Sequence, residues 1–274
     1  MKTLYVSDLD GTLLSPEKRI TPRTASIING LIDKGLLFSV NTARSLMGAE
    51  LLNLRDIRFT TPLILMNGAL LYDLENRQVV DACEMDGKTV ASVLDLCHEG
   101  GKEPLLYRVE GNSVGVSFTV PTNPLEWEFI KERGGQFPDL VRQVEAYDRT
   151  RPAIYFSTQD TYDRLKRIAD RLEALPGVDY VLYEDNYHEN NWYLEVSSDR
   201  GGKDKGMLRL KELMGAERTV AFGDNFNDLS MLKAADVALV VENGQPAMKE
   251  EADLVIGPNS RDGVAEYLLR HAQL

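Results

Sequence analysis

The sequence predicts an α/β protein with a doubly wound parallel sheet and an inserted second α/β unit. Two observations predict this fold. Strand-like apolar runs alternate with helix-like segments at both ends of the chain. The middle of the chain has a different pattern of strand-like and helix-like segments. The 274 residues suffice for one large domain or two modest ones. We therefore expect a core formed by residues 1–84 and 193–274, interrupted by an insert at 85–192.

The first part of the core contains an unambiguous strand and helix. Residues 3–6 are an apolar run typical of a short buried strand. Thr21 and Pro22 are typical of a helix start, since threonine caps the helix and proline occupies its first turn. Gly35 is expected to end this helix. Two further apolar runs, 36–42 and 63–66, predict the next strands.

The second part of the core repeats the alternation. Its predicted elements are a helix to Met214, a strand at 219–222, a helix at 228–234, strands at 237–241 and 254–256, and an amphipathic helix at 262–271. The insert contains strand-like runs at 114–120 and 153–157 and helix-like segments at 88–99 and 161–175. Its pattern therefore indicates a separately folded α/β unit.

Composition and charge narrow the class of protein. Lys and Arg number 31 against 43 Asp and Glu, a net charge of −12, which argues against nucleic acid and anionic membranes as partners. The two cysteines, Cys83 and Cys97, predict no disulfide framework. With no signal peptide or transmembrane run visible, we expect a cytoplasmic protein, monomeric or weakly homo-oligomeric.

The most informative stretch is Asp8-Leu9-Asp10-Gly11-Thr12, which follows the first predicted strand. Open α/β sheets place their ligands at the carboxyl ends of such strands. Gly11 permits a tight turn. One carboxylate can act as nucleophile while the other transfers a proton, and both can help to bind a hard cation. If these two carboxylates are considered by themselves, the alternative explanation is a polar turn without function.

Three further stretches lie at the ends of predicted strands or at the start of a predicted helix. They are Asn41-Thr42-Ala43-Arg44, Asp204-Lys205-Gly206 and Asp224-Asn225-Phe226-Asn227-Asp228. With the first stretch, and in this order, they resemble the four motifs of the haloacid dehalogenase (HAD) superfamily of phosphohydrolases. The form of the last motif, the large insert, and the runs Asn67-Gly68-Ala69 and Asp262-Gly263-Val264 are similar to the Cof-like sugar-phosphatase branch. Ala43 departs from the family pattern, which has glycine there.

This resemblance implies a Rossmann-like core with an α/β cap, and a hydrolase acting on phosphoric monoester bonds. It implies that Asp8 attacks phosphorus to form an aspartyl phosphate. Asp10 would protonate the leaving alcohol and then activate water. The implied cofactor is Mg²⁺, because an all-oxygen set with few carboxylates suits that ion. Its expected ligands are Asp8, Asp224 and the backbone carbonyl of Asp10, supported by Asp228.

The resemblance also implies residues that contact the phosphoryl group. These are Leu9, through its backbone, the Thr42 hydroxyl, the Lys205 ammonium group and Asn227. Lys203 competes with Lys205, and Lys205 is favoured because Lys-Gly fits the motif better.

Two asparagines, Asn67 and Asn243, are expected at the mouth of the site. Arg44 is expected to position the loop or to pair with a core carboxylate, and we do not assign it to the substrate.

The expected substrate is a small phosphorylated metabolite, with sugar phosphates first and pyridoxal phosphate, nucleotides and polyol phosphates as alternatives. A phosphomutase of the same superfamily and a non-catalytic phosphoacceptor or binding module also remain possible. Gly111-Asn112-Ser113-Val114-Gly115 matches the G-x-S-x-G nucleophile elbow, but a strand rather than a helix is predicted after it. We therefore expect no serine-hydrolase site there.

Overall fold

A computed structural model describes residues 1–185 and 188–272. The chain divides into two compact units, a core formed by Met1–Asp81 and Gly202–Leu274 and an insert formed by Ala82–Gly201. The expected bounds of the insert are 85–192. The second boundary falls after residue 201 rather than 192, because the strand Trp192–Ser198 pairs with two strands of the insert.

The helices and strands follow one another in chain order. The first core segment contains β1 (Thr3–Ser7), α1 (Pro22–Ile32), β2 (Leu37–Val40), α2 (Leu46–Glu50), β3 (Leu63–Leu65), β4 (Leu70–Asp73) and β5 (Gln78–Ala82). The insert contains α3 (Gly87–Glu99), β6 (Leu105–Glu110), β7 (Ser113–Phe118), α4 (Pro124–Gln136), β8 (Val141–Gln143), β9 (Tyr155–Asp160), α5 (Tyr162–Leu172), β10 (Val178–Glu184) and β11 (Trp192–Ser198). The second core segment contains α6 (Lys203–Leu213), β12 (Arg218–Gly223), α7 (Leu229–Ala234), β13 (Val237–Val241), α8 (Pro246–Glu250), β14 (Leu254–Ile256) and α9 (Gly263–His271).

The main sheet of the core is parallel, with the strand order β14-β13-β12-β1-β2. Strand β1 is flanked by β12 and β2, and Ser7 at its end is in register with Phe222 and with Val40. The carboxyl ends of these three strands therefore meet at one edge. The predicted parallel α/β core is confirmed, and the sequence pattern of buried apolar runs explains it, since such strands are covered on both faces.

The third predicted strand lies outside the five-stranded parallel sheet. Strand β3 pairs antiparallel with β4 in a three-stranded sheet, β3-β4-β5. It touches the end of β2 through a parallel bridge between Asn41 and Ile64. The chain reverses after β3 because Met66, Asn67 and Gly68 all have positive φ, at 53°, 50° and 86°. Such a reversal produces a hairpin rather than another crossover to the parallel sheet.

The core helices are stabilised by a capping hydrogen bond and by apolar contacts with the sheet. The Thr21 hydroxyl accepts a hydrogen bond from the Thr24 N–H at 3.0 Å and so caps α1, as predicted. Helices α6 and α7 pack on the sheet through Met207, Leu210 and Met231, against strand residues such as Val6 and Val240. Burial of these apolar side chains is the main stabilising term of the core.

The insert forms a six-stranded sheet with the order β10-β11-β9-β6-β7-β8. Helices α3 and α5 cover one face of it, where Leu94 and Ile168 join Leu106, Phe156 and Leu194 in one apolar cluster. In the G-x-S-x-G stretch, the residues from Ser113 onward form strand β7, so no nucleophile elbow is present there. Among the described residues, no helix is both long and apolar enough to span a membrane.

Candidate active site

The site lies at the carboxyl edge of the parallel sheet, directly after β1. Asp8 follows the last residue of that strand and is 5% exposed. Its N–H donates to the Phe222 carbonyl at 2.9 Å, which continues the pairing between β1 and β12 by one residue. The carboxylate therefore follows a strand that is paired on both sides, which suits a group that must be held in one position.

The turn after Asp8 brings the chain against the loop that follows β12. Gly11 has φ of 88°, and a Cβ atom at this position would lie 2.9 Å from Asp224 Cγ. The Thr12 hydroxyl donates to Asp224 Oδ1 at 2.9 Å. Asn243 Nδ2 donates to the Gly11 carbonyl at 2.7 Å and thus holds the turn from the other side. The Leu9 side chain is fully buried, so only its backbone could face a ligand.

A buried lysine joins two of the carboxylates. Lys203 Nζ lies 2.6 Å from Asp8 Oδ1 and 2.6 Å from Asp228 Oδ1. Burial alone would lower the pKa of this lysine, but the charges of Asp228 and Asp8 outweigh burial and raise the pKa above its ordinary value. The two carboxylates therefore favour the charged form of the ammonium group.

This ion pair corrects the expectation from the sequence, which favoured Lys205. Lys203 is the first residue of α6 and is 2% exposed, whereas Lys205 is half-buried. Two helical positions correspond to a rotation of about 200° around the axis, so the two side chains point to nearly opposite sides. The helix begins at Lys203, and this start turns Lys203 rather than Lys205 toward Asp8.

Asp228 is buried and its hydrogen bonds organise the loop after β12. Besides Lys203, it accepts hydrogen bonds through Oδ2 from the N–H groups of Asp224, at 3.0 Å, and Asn225, at 3.2 Å. Both of its oxygens are thus occupied by donors of the protein. Asp228 therefore holds the lysine and shapes the loop, and Asp224 is left to face the turn that contains Gly11.

Three carboxylates converge at this edge of the sheet. Asp8, Asp224 and Asp228 each offer an oxygen, and these oxygens lie within 4.8 Å of one another. Burial, followed by the charge of Asp228, raises the pKa of Asp8 well above its ordinary range, against the opposing effect of Lys203. Burial and Asp228 likewise raise the pKa of Asp224 to about 6. The cluster carries more negative charge than one lysine balances, and its donor set is all oxygen, as a hard divalent cation requires.

Asp10 has a different environment. Its side chain is 42% exposed and forms an ion pair with Arg44. The Nε and Nη2 atoms of Arg44 each lie 2.6 Å from one of the two carboxylate oxygens. This bidentate pair is the geometry in which a guanidinium orients a carboxylate most firmly. The pairing of Arg44 with a core carboxylate, one of its two expected roles, is thus observed.

The predicted phosphate-binding threonine lies next to these groups in the sheet. Thr42 is 2% exposed, and its N–H donates to the Ile64 carbonyl at 3.0 Å. Its carbonyl accepts from the Asn67 N–H at 3.0 Å, and its hydroxyl accepts from the Arg44 N–H at 3.2 Å. Thr42 is thus fixed at the end of β2, beside β1.

The two other asparagines predicted for the site differ in exposure. Asn227 is exposed on the loop after β12. Asn67, 7% exposed, lies in the left-handed turn after β3, where its carbonyl accepts from the Gly202 N–H at 2.8 Å. The sequence gives Thr12 no role, and only the structure places its hydroxyl against Asp224, an expected metal ligand.

Comparisons with known proteins point to one family. The family model for haloacid dehalogenase-like hydrolases matches residues 5–268. The pyridoxal phosphate phosphatase YbhA of Escherichia coli is 28% identical over 276 residues, covering 96% of each chain. The 5-amino-6-(5-phospho-D-ribitylamino)uracil phosphatase YitU of Bacillus subtilis is 25% identical and covers 99% of this chain and 98% of its own. Among solved structures, a sugar phosphatase of HAD subclass IIB superposes with a TM-score of 0.72 at 22% identity, covering 98% of both chains.

The chain belongs to the haloacid dehalogenase-like hydrolases. The predicted resemblance to this superfamily and to its Cof-like branch is therefore confirmed, as is the expectation of an enzyme of the phosphatase type.

Proposed function

We propose that this protein is a Mg²⁺-dependent phosphatase that hydrolyses small phosphomonoesters through an aspartyl-phosphate intermediate. The observation that carries the proposal is the buried Asp8 carboxylate at the end of β1, an interior strand, paired with Lys203 and facing Asp224. A carboxylate held beside an ammonium group in a buried site is suited to nucleophilic attack on phosphorus.

The chemistry divides between the two carboxylates of the first motif. An oxygen of Asp8 forms the new bond to phosphorus while the bond from phosphorus to the leaving oxygen breaks. Asp10 donates a proton to that leaving oxygen, and in the second half it accepts a proton from the water that attacks the aspartyl phosphate. Inorganic phosphate then leaves and Asp8 is restored.

The pair between Asp10 and Arg44 sets a condition on this scheme. Both oxygens of Asp10 accept hydrogen bonds from Arg44, whereas a general acid must carry a proton on one of them. The proposed acid step therefore requires the pair to loosen when substrate binds, and the pair would re-form when Asp10 acts as base. Arg44 in this scheme orients Asp10 and does not bind the phosphoryl group.

The residues present fit a divalent cation. Asp8 and Asp224 would be its carboxylate ligands, with the Asp10 carbonyl as a third, because both oxygens of Asp228 are already engaged by donors of the protein. When bound, Mg²⁺ would neutralise part of the negative charge of the phosphoryl oxygens and of the two carboxylates. Asp228 would act on the site through Lys203 and the loop that it organises.

Phosphoryl transfer depends mainly on positioning and on stabilisation of charge, so the neighbouring groups matter as much as the nucleophile. Lys203 replaces Lys205 in the proposal as the cation that faces the phosphoryl group. The Thr42 hydroxyl, the Leu9 backbone N–H and the Asn227 side chain are proposed as its hydrogen-bond donors.

Two candidate substrates are proposed. Sugar phosphates are the expectation from the sequence. Pyridoxal phosphate is the second candidate, favoured by the relative of that activity, which matches over 96% of this chain. Both are small monoesters whose leaving group is an alkoxide.

The test is release of inorganic phosphate from a panel of hexose phosphates, pyridoxal phosphate and p-nitrophenyl phosphate, with Mg²⁺ and with EDTA. We expect turnover that requires Mg²⁺, and labelling of Asp8 when ³²P-substrate is quenched in acid. Isomerised sugar phosphate without free phosphate would establish a mutase instead. A purified protein that cleaves no monoester on the panel would overturn the proposal.

A further inference from the structure

Asn41 lies at a junction of the elements that carry the site. It is fully buried, directly after the last residue of β2 and directly before Thr42. Its N–H donates to the Ser7 carbonyl at 2.8 Å, next to Asp8, and its backbone bridges to Ile64 of β3. One residue thus contacts the strand end of the proposed nucleophile and is adjacent to the proposed phosphate-binding threonine.

The side chain of Asn41 reaches a third element, the start of α6. Its Nδ2 donates to the carbonyl of Lys203 at 2.7 Å and lies 3.3 Å from Met231 Sδ. The opposite orientation of the amide would place its oxygen against that carbonyl, where two acceptors repel, so the hydrogen bond fixes the orientation. The amide therefore holds the backbone of the lysine that pairs with Asp8.

This contact has an energetic cost that stability alone does not explain. Among the described residues, the Oδ1 atom of Asn41 is buried and has no hydrogen-bond partner. A buried acceptor without a partner loses its hydration and gains nothing in return. An apolar side chain at the end of β2 would avoid that cost. The structure thus retains an amide here at the expense of stability, which is typical of a group with a positioning role.

A second chain of hydrogen bonds runs parallel to the first. The Thr42 carbonyl accepts from the Asn67 N–H at 3.0 Å, and the Asn67 carbonyl accepts from the Gly202 N–H at 2.8 Å. Residues 41–42 and 202–203 are therefore joined by two routes, one through backbone atoms and one through the Asn41 amide. Only the route through Asn41 reaches the carbonyl of Lys203 itself.

We infer that Asn41 is a positioning residue, which fixes the Lys203 ammonium group between Asp8 and Asp228 by holding the lysine's backbone. This inference rests on the proposed function, in which Lys203 stabilises charge on the phosphoryl group. Asn41 contacts no reacting atom in this scheme and acts entirely through Lys203.

The test compares Asn41→Ala with Ser39→Ala, a matched control two residues earlier in the chain. Ser39 is also fully buried, and its hydroxyl donates to the Pro62 carbonyl at 2.7 Å. Each variant loses a hydrogen bond from a side chain to a backbone carbonyl. The measurements are kcat and KM for p-nitrophenyl phosphate, the melting temperature, and the ¹⁵N resonance of the Lys203 ammonium group.

Asn41→Ala is expected to lower kcat by about tenfold to a hundredfold, the usual effect of a displaced catalytic group, with KM within about threefold of the parent value. Its lysine ammonium resonance should shift or broaden. Ser39→Ala should lower the melting temperature while kcat and the resonance stay near the parent's. In a Lys203→Met background, Asn41→Ala should change kcat by less than about twofold, since its effect passes through the lysine.

An Asn41→Ala protein whose kcat stays within about twofold of that of Ser39→Ala would overturn the inference. An unchanged lysine resonance would overturn it equally, and this readout also applies if Lys203→Met does not fold. If the parent protein cleaves no monoester but its lysine resonance still responds to Asn41→Ala, the proposed function fails while the positioning role stands.

Discussion

Replacing Gly11 with alanine is the most direct test of how the first motif is packed against Asp224. Gly11 has φ of 88°, a backbone conformation that L-residues rarely adopt. A methyl group there would lie 2.9 Å from Asp224 Cγ, well inside ordinary contact. The substitution therefore combines a backbone penalty with a collision against a proposed metal ligand.

The two effects have different magnitudes and different readouts. A non-glycine residue in the left-handed region costs about 1–2 kcal/mol, which lowers the melting temperature by a few degrees. To restore an ordinary contact of about 3.4 Å, Asp224 Cγ must retreat by about 0.5 Å, and Asp224 Oδ2, the atom nearest the added methyl group, must retreat further. The hydrogen bond from Thr12 to Asp224 would be disturbed by the same movement. Since small displacements of catalytic groups cost up to about 10²-fold in rate, we expect a loss of kcat of roughly tenfold to a hundredfold.

Gly35→Ala separates the two effects. Gly35 has φ of 100° and open space where its Cβ would lie, so alanine there incurs the backbone penalty without a collision. Both variants would be assayed for Mg²⁺-dependent phosphate release and for thermal unfolding. Similar melting temperatures with a loss of activity only in Gly11→Ala are expected. If Gly11→Ala retains a kcat within about threefold of that of Gly35→Ala, the contact with Asp224 does not matter for catalysis and the reasoning is refuted.

Four further predictions address the proposed roles. Asp8→Asn should abolish turnover while the protein stays folded, and a residual rate within about tenfold of the parent, roughly 1.4 kcal/mol in barrier, would contradict its role as nucleophile. Lys203→Met should destabilise the protein by about 3–5 kcal/mol in chemical denaturation, because two buried carboxylates lose their counter-ion, whereas Lys205→Met should cost less than about 1 kcal/mol. Asp10→Asn should slow phosphosugar hydrolysis more than cleavage of p-nitrophenyl phosphate, whose leaving group needs less protonation, and equal losses would exclude a proton-transfer role. Mg²⁺ at about 100 times its Kd should add ~2.7 kcal/mol of stability, removable with EDTA, and an unchanged melting temperature would argue against a cation at the carboxylate cluster.

The sequence by itself determined the architecture of the core. Buried apolar runs, the cap at Thr21 and the turn residues after each run are local signals, and local interactions suffice to place a strand or a helix start. The same signals put Asp8 and Asp224 after strands, and parallel strands bring such residues to one edge. The parallel sheet therefore follows from the pattern, whereas the convergence of these two carboxylates is implied by the resemblance to the haloacid dehalogenase superfamily.

Long-range contacts decided what the pattern left open. The strand that begins at residue 192 belongs to the insert because it pairs with β9 and β10. The sequence of a strand does not by itself specify its pairing partner. The ion pair between Arg44 and Asp10 also depends on tertiary structure, because it joins two loops that are distant in sequence.

The choice between the two lysines is the clearest case. Lys203 and Lys205 both lie near the start of the same helix, and the motif pattern favours Lys205 because glycine follows it. Helix α6 begins after Gly202, whose φ of 111° and hydrogen bond to the distant Asn67 carbonyl fix the first turn. That start directs Lys203 toward Asp8, and two residues of helical rotation direct Lys205 away from it. Tertiary structure alone selects the lysine, because the position at which a helix begins sets the direction of every side chain on it.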